Sequence, residues 1–337
     1  MLRKLMNEAF LTLRITTTGP LLIKSGHASV SGPDMTPVLT WHNGRQEVFL
    51  PGSSLKGVFR SHLEKIACSL KPRVVCYPFE SSEDRQADLE QRRRDYRDSC
   101  GGLFNQAARN ERSRLEDHSD LVYAASCPIC RLFGSTGFIG RVAIGDAYLV
   151  SKEVKEQRDG IGIDRLTGGA SHGAKFELEV VSSGVAFETD IHLRNYEVWQ
   201  LGMIFAVLQD MEDELIRVGS GRSRGLGKVK AEISEKNTGG RPGGFVVSAM
   251  RDSQEPPEQL WGLGRWLNDD SYGTWRDDYL TLQRPVQPEQ RGIRRMRVFN
   301  GDDLTNLRDD AITGFVKRIQ GWSIDPQTVL AQASSRA

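Results

Sequence analysis

The sequence predicts an α+β fold in which helices cover one face of an antiparallel sheet. Three observations carry this. Phe10-Leu-Thr-Leu-Arg-Ile-Thr16 alternates apolar and polar residues, the period of a half-buried strand. Residues 54–67 place Leu55, Val58, Phe59, Leu63 and Ile66 at the spacing of a helix with one buried face. The order of strands and helices is then read as the βαββαβ order of a ferredoxin-like core.

After the first strand comes a Gly/Ser/Pro-rich loop, 24–37, and Asn43-Gly44 marks a hairpin turn. Pro51-Gly-Ser-Ser-Leu-Lys-Gly-Val-Phe-Arg60 then opens the helix. Ser53 or Ser54 is placed to cap it, and Lys56 and Arg60 are four apart on one face. A helix N-terminus offers unpaired N–H groups to an anion, so a phosphate backbone fits this face while the apolar face anchors the helix. An ordinary capped surface helix accounts for the same ten residues. Gly52 and Gly57 have the spacing of a nucleotide-binding P-loop, but Val58 stands where that loop needs its lysine, which argues against a nucleoside triphosphatase.

Residues 68–132 are polar, rich in Arg and Asp, and read as an insertion. Val142–Val150 reads as the second strand; Phe176–Ser182 and Val185–Leu193 read as strands meeting at Ser183-Gly184. Tyr196–Gln209 is helical, with Val198, Leu201, Phe205 and Leu208 on one side, and Leu226–Ile233 closes the core. Residues 153–175 are too polar and glycine-rich for core. Gly239-Gly240-Arg241-Pro242-Gly243-Gly244 is a flexible joint. Beyond it, Trp261, Trp266, Trp275 and Trp322 require a packed tail, with a short helix near 261–267. Such a tail either docks a neighbouring subunit or completes its own domain.

Net charge is +1, with 26% charged and 38% hydrophobic residues, as in a soluble globular protein. No apolar run approaches membrane length, and Met1-Leu-Arg-Lys-Leu-Met-Asn lacks the apolar core of a secretory signal, so no membrane partner and a cytoplasmic address are expected. The charge balance weighs modestly against an RNA binder, although a local cationic stripe matters more than the total. Acidic residues concentrate in 80–120, Asp269–Asp278 and Asp302–Asp310, away from the cationic helix.

Cys127-x-x-Cys130 is a two-ligand knuckle, since two thiolates at that spacing reach one Zn²⁺. Cys76 and Cys100 lie far upstream, outside any standard finger spacing. A thioredoxin-like reading of Cys-Pro-x-Cys needs a preceding parallel strand, where a polar insertion stands instead. Disulfides are disfavoured by an odd cysteine count and the expected compartment.

Pro51–Arg60 resembles the PGSSLKGxxR signature of the RAMP superfamily, the repeat-associated proteins that build type III CRISPR effector complexes. Four further stretches agree in order. They are Ser31-Gly-Pro-Asp-Met-Thr-Pro-Val38, Cys127-Pro-Ile-Cys-Arg-Leu-Phe-Gly-Ser135, Gly160-Ile-Gly-Ile-Asp-Arg-Leu-Thr-Gly168 and Gly219-Ser-Gly-Arg-Ser-Arg-Gly-Leu-Gly227. Together they span roughly residues 10–233; the last hundred residues carry no such resemblance.

The resemblance implies a ferredoxin-like (RRM-like) core over 1–235, with a zinc-binding insertion at 68–132 and a thumb-like insertion at 153–175. Ile161, Ile163 and Leu166 would form the apolar tip of that thumb, pressing on a guide–target duplex; a long loop is the plainer reading. Residues 245–337 become a C-terminal extension, a subunit-docking element. Structural Zn²⁺ is assigned to Cys76, Cys100, Cys127 and Cys130, leaving Cys68 as a core thiol, with His118, His62 or Cys68 as substitutes for one ligand. Guide phosphates fall to Lys24, Ser53, Ser54, Lys56 and Arg60, with Arg222 and Arg224 adding charge in the glycine-rich loop.

Asp34 matches the aspartate with which backbone subunits of the family cut target RNA; otherwise an Asp after Gly-Pro is a plain turn residue. Cleavage would be metal-dependent, with Mg²⁺ or another divalent cation, and the 2′-OH as nucleophile. His27 and His42 flank that loop, where acid–base partners would stand; a lone loop histidine is otherwise simply solvated. The implied partners are guide RNA, target RNA and other subunits of the complex, RAMP neighbours included. Two alternatives stand beside this: the same scaffold without catalysis, and a stand-alone nuclease processing precursor guide RNA. The second is disfavoured because the glycine-rich loop lies a hundred residues before the end.

Overall fold

The computed structural model describes residues 4–25, 32–78, 95–103, 119–237, 240–250, 253–267 and 272–335. Strand β1 (Asn7–Thr17) leads to the hairpin β2 (Leu39–His42) and β3 (Arg45–Val48), then helix α1 (Gly52–Leu70). Asn43 and Gly44 both have positive φ, 50° and 78°, as a two-residue hairpin turn requires. Short helices α2 (Ser119–Ala125) and α3 (Pro128–Phe133) precede a small hairpin, β4 (Gly134–Ser135) and β5 (Phe138–Ile139). Next come β6 (Val142–Ile144), β7 (Tyr148–Leu149), β8 (Lys155–Ile163), β9 (Ala170–Val181), β10 (Ala186–Arg194), α4 (Val198–Glu212) and β11 (Val229–Ile233). The remainder holds β12 (Phe245–Met250), β13 (Gln259–Trp261), α5 (Leu263–Leu267), β14 (Tyr279–Thr281), β15 (Glu289–Arg291), β16 (Arg294–Phe299), α6 (Gly301–Gln320) and α7 (Pro326–Ser335).

In β1, Ala9, Leu11, Leu13 and Ile15 are buried, while Phe10, Thr12, Arg14 and Thr16 between them are half-exposed. The predicted alternation therefore turns one face of the strand to the core. One edge of β1 pairs antiparallel with β10 from Glu8↔Arg194 to Thr16↔Ala186. The other edge is divided: Leu13–Thr17 pair with β11, and Asn7–Phe10 with β12. Among the described residues eight strands form this sheet, in the order β15-β16-β12-β1-β10-β6, with β11 also on β1 and β7 also on β10. Helices α1, α4 and α6 pack on its apolar face. The stripe Leu307, Ala311, Phe315 and Ile319 of α6, one residue per turn, is buried where α6 meets α4.

Two predicted strands are corrected. The stretch 142–150 breaks at Gly145-Asp146 into β6 and β7. The break frees Ala147 to pair with Leu50 and turns the Asp146 carboxylate toward α1. The stretch 176–182 does not join the central sheet beside β10. It is the root of a long ribbon with β8, in register from Lys155↔Val181 to Ile161↔Lys175, with an irregularity before Ile163↔Ala170. Residues 153–175 are thus largely an antiparallel hairpin.

The tail is built into the same sheet. β12 bonds β1 and β16, so the sheet runs on into residues 245–299, and α6 lies on α4. Trp322 stacks edge-on against Trp199 and Trp275, with ring centroids 5.6 and 5.5 Å apart, and Trp261 meets Trp266 at 5.0 Å.

Candidate metal centre and nucleic-acid interface

Cys76, Cys100, Cys127 and Cys130 converge from three separate segments, with their sulfur atoms within 4.8 Å of one another and all four side chains buried. Cys127 is the N-cap of α3, so its Sγ accepts from the Cys130 N–H at 3.3 Å; the Cys127 N–H in turn reaches Cys100 Sγ at 3.3 Å. Cys76 Sγ lies 3.5 Å from Cys130 Sγ and 3.6 Å from Cys127 Sγ. A tetrahedral Zn–S₄ site has sulfur–sulfur edges of about 3.8 Å, from Zn–S bonds near 2.3 Å, so the four thiols fit a metal such as zinc.

Two cations face the cluster. Arg97 Nη2 is 3.3 Å from Cys100 Sγ, and Arg60 Nη2 is 3.7 Å from Cys130 Sγ. Burial raises the Cys127 thiol, but hydrogen bonds from the other three cysteines and the Arg97 charge outweigh it and hold Cys127 well below the ordinary thiol range. Cys68 lies outside the cluster, half-buried, its thiol pushed up to about 11 by desolvation and then by the charges of Glu64 and Asp95. His62 pairs with Asp210 Oδ2 at 2.5 Å; His118 falls outside the described residues.

Helix α1 starts earlier than its sequence suggested, and the capping expectation is corrected. The cap residue is Pro51, without a side-chain cap, and Ser53 and Ser54 lie in the first turn. The Gly52 N–H instead donates to Asp146 Oδ1 at 2.7 Å. A Cβ on Gly52 would sit 2.4 Å from the Ile144 carbonyl oxygen, so the helix end can approach this strand only as glycine. Leu55, Phe59, Leu63 and Ala67 are buried beneath, while Ser53 is exposed and Lys56 half-exposed. Burial and the neighbouring Arg60 charge both lower the Lys56 ammonium. Lys56 and Arg60 line a cleft of about 630 Å³ with Cys76, Cys130 and the turn 134–140.

Asp34, Lys24 and the glycine-rich loop gather elsewhere, around a small apolar cluster of Leu22, Leu178, Val180 and Leu226, flanked by Met35 and Phe176. Met35 pairs with β9 on both sides of Leu178, its N–H to the Glu177 carbonyl at 3.2 Å and its carbonyl to the Glu179 N–H at 2.9 Å. The exposed Asp34 carboxylate accepts from the Glu177 N–H at 2.8 Å. Lys24 is exposed and bridges Pro37 through its backbone.

The glycine-rich loop wraps the segment before Lys24. The Ser220 N–H bonds the Leu22 carbonyl and the Gly227 N–H the Pro20 carbonyl, both at 2.7 Å. Gly219 and Gly227 have φ of 82° and 86°. A Cβ on them would meet carbonyl oxygens at 2.3 and 2.1 Å, so chain-on-chain approach is what these two glycines serve. Arg222 and Arg224 are exposed on this loop; the Arg224 guanidinium lies 5.3 Å from the Phe176 ring centre.

From this base the β8–β9 ribbon projects. Ile161, Ile163 and Leu166 are 56%, 70% and 97% exposed, and they cluster at one end of the ribbon. The Asp164 carboxylate closes the tip by accepting from the Leu166 and Thr167 N–H groups at 2.8 and 2.9 Å. His42 sits on β2, bonded to Glu47 at 2.7 Å and stacked on Tyr148; His27 falls outside the described residues.

The predicted residues therefore fall into two groups. Lys56 and Arg60 go with the cysteines, and Lys24, Asp34, Arg222 and Arg224 go with the ribbon root. Sequence reasoning missed Arg97, Asp146, Phe176 and Arg131. Arg131, inside the knuckle motif, is fully buried. It donates to Ala124 and Gly273 carbonyls at 2.8 and 3.1 Å, faces the buried Glu197 at 3.4 Å, and lies against the Tyr123, Trp275 and Trp322 rings. The motif carried its signal only as one charged residue inside an apolar run.

An antiparallel sheet backed by helices, with a glycine-rich loop folded against its first strand's continuation and four buried cysteines drawn together, defines an α+β protein with a candidate metal centre. Residues 14–230 match the family model of the RAMP superfamily, and the chain belongs to that family. Over 160 residues it is 26% identical to a protein of Methanocaldococcus jannaschii named CRISPR system Cms endoribonuclease Csm3. That match covers 40% of this chain and 64% of the relative. Among the described residues no helix is long and apolar enough to cross a membrane.

Proposed function

We infer that this chain is a guide-RNA-binding backbone subunit of a type III CRISPR effector complex that also cuts complementary target RNA through Asp34. Family membership and the similarity to a protein named as an endoribonuclease support the complex and the class of reaction. The observation that carries the site is the Asp34 carboxylate, exposed and mounted on the Glu177 N–H at the root of a projecting ribbon. The neighbour order β11-β1-β10-β6 supports a ferredoxin-like core over residues 1–235.

RNA carries its own nucleophile. With the backbone splayed, the 2′-oxygen attacks the adjacent phosphorus, the bond to the 5′-oxygen breaks, and a 2′,3′-cyclic phosphate and a 5′-hydroxyl result. Asp34 takes up the 2′-OH proton or holds a divalent cation, which when bound supplies charge neutralisation at the phosphate. Lys24, Arg222 and Arg224 bind phosphates near it, and Ser53, Ser54, Lys56 and Arg60 bind those along α1. Cys76, Cys100, Cys127 and Cys130 would hold a structural zinc, which would tie the 68–132 insertion together. Ile161, Ile163 and Leu166 press on the guide–target duplex, and residues 245–337 present a face to neighbouring subunits in the cytoplasm.

The same hydrogen bond favours a second reading, in which Asp34 pins the turn and the subunit is a scaffold without cleavage. Cleavage by a complex assembled with Asp34→Ala separates the two. Loss of cutting with guide and target still bound supports the nuclease; cutting at the parent rate leaves the scaffold. A target with a single 2′-deoxy sugar at the scissile position should bind and stay whole, and its cleavage would rule out the 2′-OH as nucleophile.

A further inference from the structure

Four contacts meet on two consecutive residues of β9. The Phe176 ring lies over its cross-strand partner Gly160, where a Cβ would come within 2.1 Å of the ring. The Arg224 guanidinium covers the ring at 5.3 Å from its centre. The next residue, Glu177, gives its N–H to the Asp34 carboxylate and its carbonyl to the Met35 N–H. Asp34 is exposed, so this bond, and not packing, orients its carboxylate.

We propose that Phe176 is a positioning residue for Asp34: clamped between Gly160 and Arg224, its ring seats the ribbon so that the Glu177 N–H holds the Asp34 carboxylate in its working orientation. The proposal rests on the assignment of cleavage to Asp34. A glycine at 160 is costly in a strand unless something needs the space, and here an aromatic ring occupies it. Apolar burial alone would not need that glycine, because Leu178 and Val180 already fill the cluster beneath. The ribbon's exposed apolar tip, Ile161 and Ile163 on β8 and Leu166 in the turn that joins β8 to β9, is carried by the same hairpin, so a duplex pressing on the tip acts on the seat of Asp34.

Two measurements test this, the first on the free full-length chain. Amide exchange at Glu177 should quicken in Phe176→Ala and in Asp34→Ala, and return to the parent rate in Phe176→Tyr. The second is single-turnover cleavage of bound target in the assembled complex. A misplacement of about 1 Å costs up to about a hundred-fold, so Phe176→Ala should slow cutting by about ten-fold or more, with target affinity unchanged. Gly160→Ala, which displaces the ring without deleting it, should do the same. The double variant should be no slower than Phe176→Ala, because the clash goes with the ring.

Parent-rate exchange at Glu177 in both Phe176→Ala and Gly160→Ala would overturn the proposal, as would parent-rate cleavage by either variant where Asp34→Ala is dead. If Asp34→Ala itself cuts normally, the nuclease assignment fails instead, while the exchange result still reports on the seat. Should Phe176→Ala fail to fold, Gly160→Ala carries both measurements.

Discussion

Arg60 donates from Nη2 to Cys130 Sγ across 3.7 Å while its Nε holds Glu64 at 3.0 Å. Burial works against the guanidinium charge, and Cys130 and Glu64 outweigh it. The second cation of helix α1 is therefore also an outer partner of the cysteine cluster. Four thiolates around a divalent metal leave net negative charge, which Arg60 and Arg97 offset from two sides. Outer partners of this kind tune how firmly a metal is held.

The cysteine cluster should bring about one metal per chain, checked by elemental analysis of the purified protein. Cys127→Ser with Cys130→Ser should abolish it and lower the melting temperature. With the metal in place Cys68 is the one thiol among the described cysteines left to alkylate, and slowly: a pKa of about 11 leaves about one thiolate in a thousand at pH 8. Its alkylation rate should rise about ten-fold per pH unit up to about pH 10. Fast labelling at pH 8 of all five cysteines in native protein would count against a closed site.

Lys56 and Arg60 should separate in two assays. Removing one phosphate-binding cation reduces the slope of log affinity against log salt by about 0.7 on single-stranded RNA. Lys56→Ala should lower that slope and leave metal retention alone. Arg60→Ala should also speed metal release to a chelator. Equal metal release from both variants would remove Arg60 from the cluster's outer shell.

The two glycines of the α1 motif should respond with opposite sign. Gly52→Ala drives a Cβ into the Ile144 carbonyl at 2.4 Å and should destabilise by about 1–3 kcal/mol. Gly57 is exposed in the helix, and a Cβ there would meet nothing within 4 Å. Gly57→Ala should therefore gain up to about 1 kcal/mol by helix propensity, read from urea denaturation. If RNA lies on this face, the same stabilised variant binds it more weakly.

Arg131→Met should cost about 3–5 kcal/mol, because it leaves the fully buried Glu197 carboxylate without its cation. Adding Glu197→Gln should recover part of that loss, a non-additivity visible in a double-mutant cycle. Additive losses would mean that the pair does not interact.

Local pattern made much of this molecule legible. The apolar spacing of 54–67 found α1, the alternation of 10–16 found β1, and Asn43-Gly44 found its hairpin, since each signal lies within one element. The strand break at Gly145-Asp146 was hidden because its cause, a helix end at Gly52, lies 94 positions away. Residues 176–182 read as a sheet strand because a ribbon strand has the same period; only pairing partners tell them apart. Phe245-Val-Val-Ser-Ala-Met is a plain apolar run, and nothing in it announces β1 as its neighbour. At the site, the spacing of Lys56 and Arg60 defined a shared face, yet what faces Arg60 is a cysteine 70 residues on.

The divided edge of β1 has a consequence for how the chain is made. Thr16 cannot pair until Ala186 has emerged, 170 positions later, and Asn7 waits still longer for Ala249. At about 5–20 residues per second, the central strand leaves the ribosome about 9–35 seconds before its first sheet partner. During that interval Leu11, Leu13 and Ile15 form an unpaired apolar strand, the kind of segment that recruits holding chaperones or self-associates. Slowed translation between residues 20 and 186 should therefore lower soluble yield more than the same delay placed after residue 250.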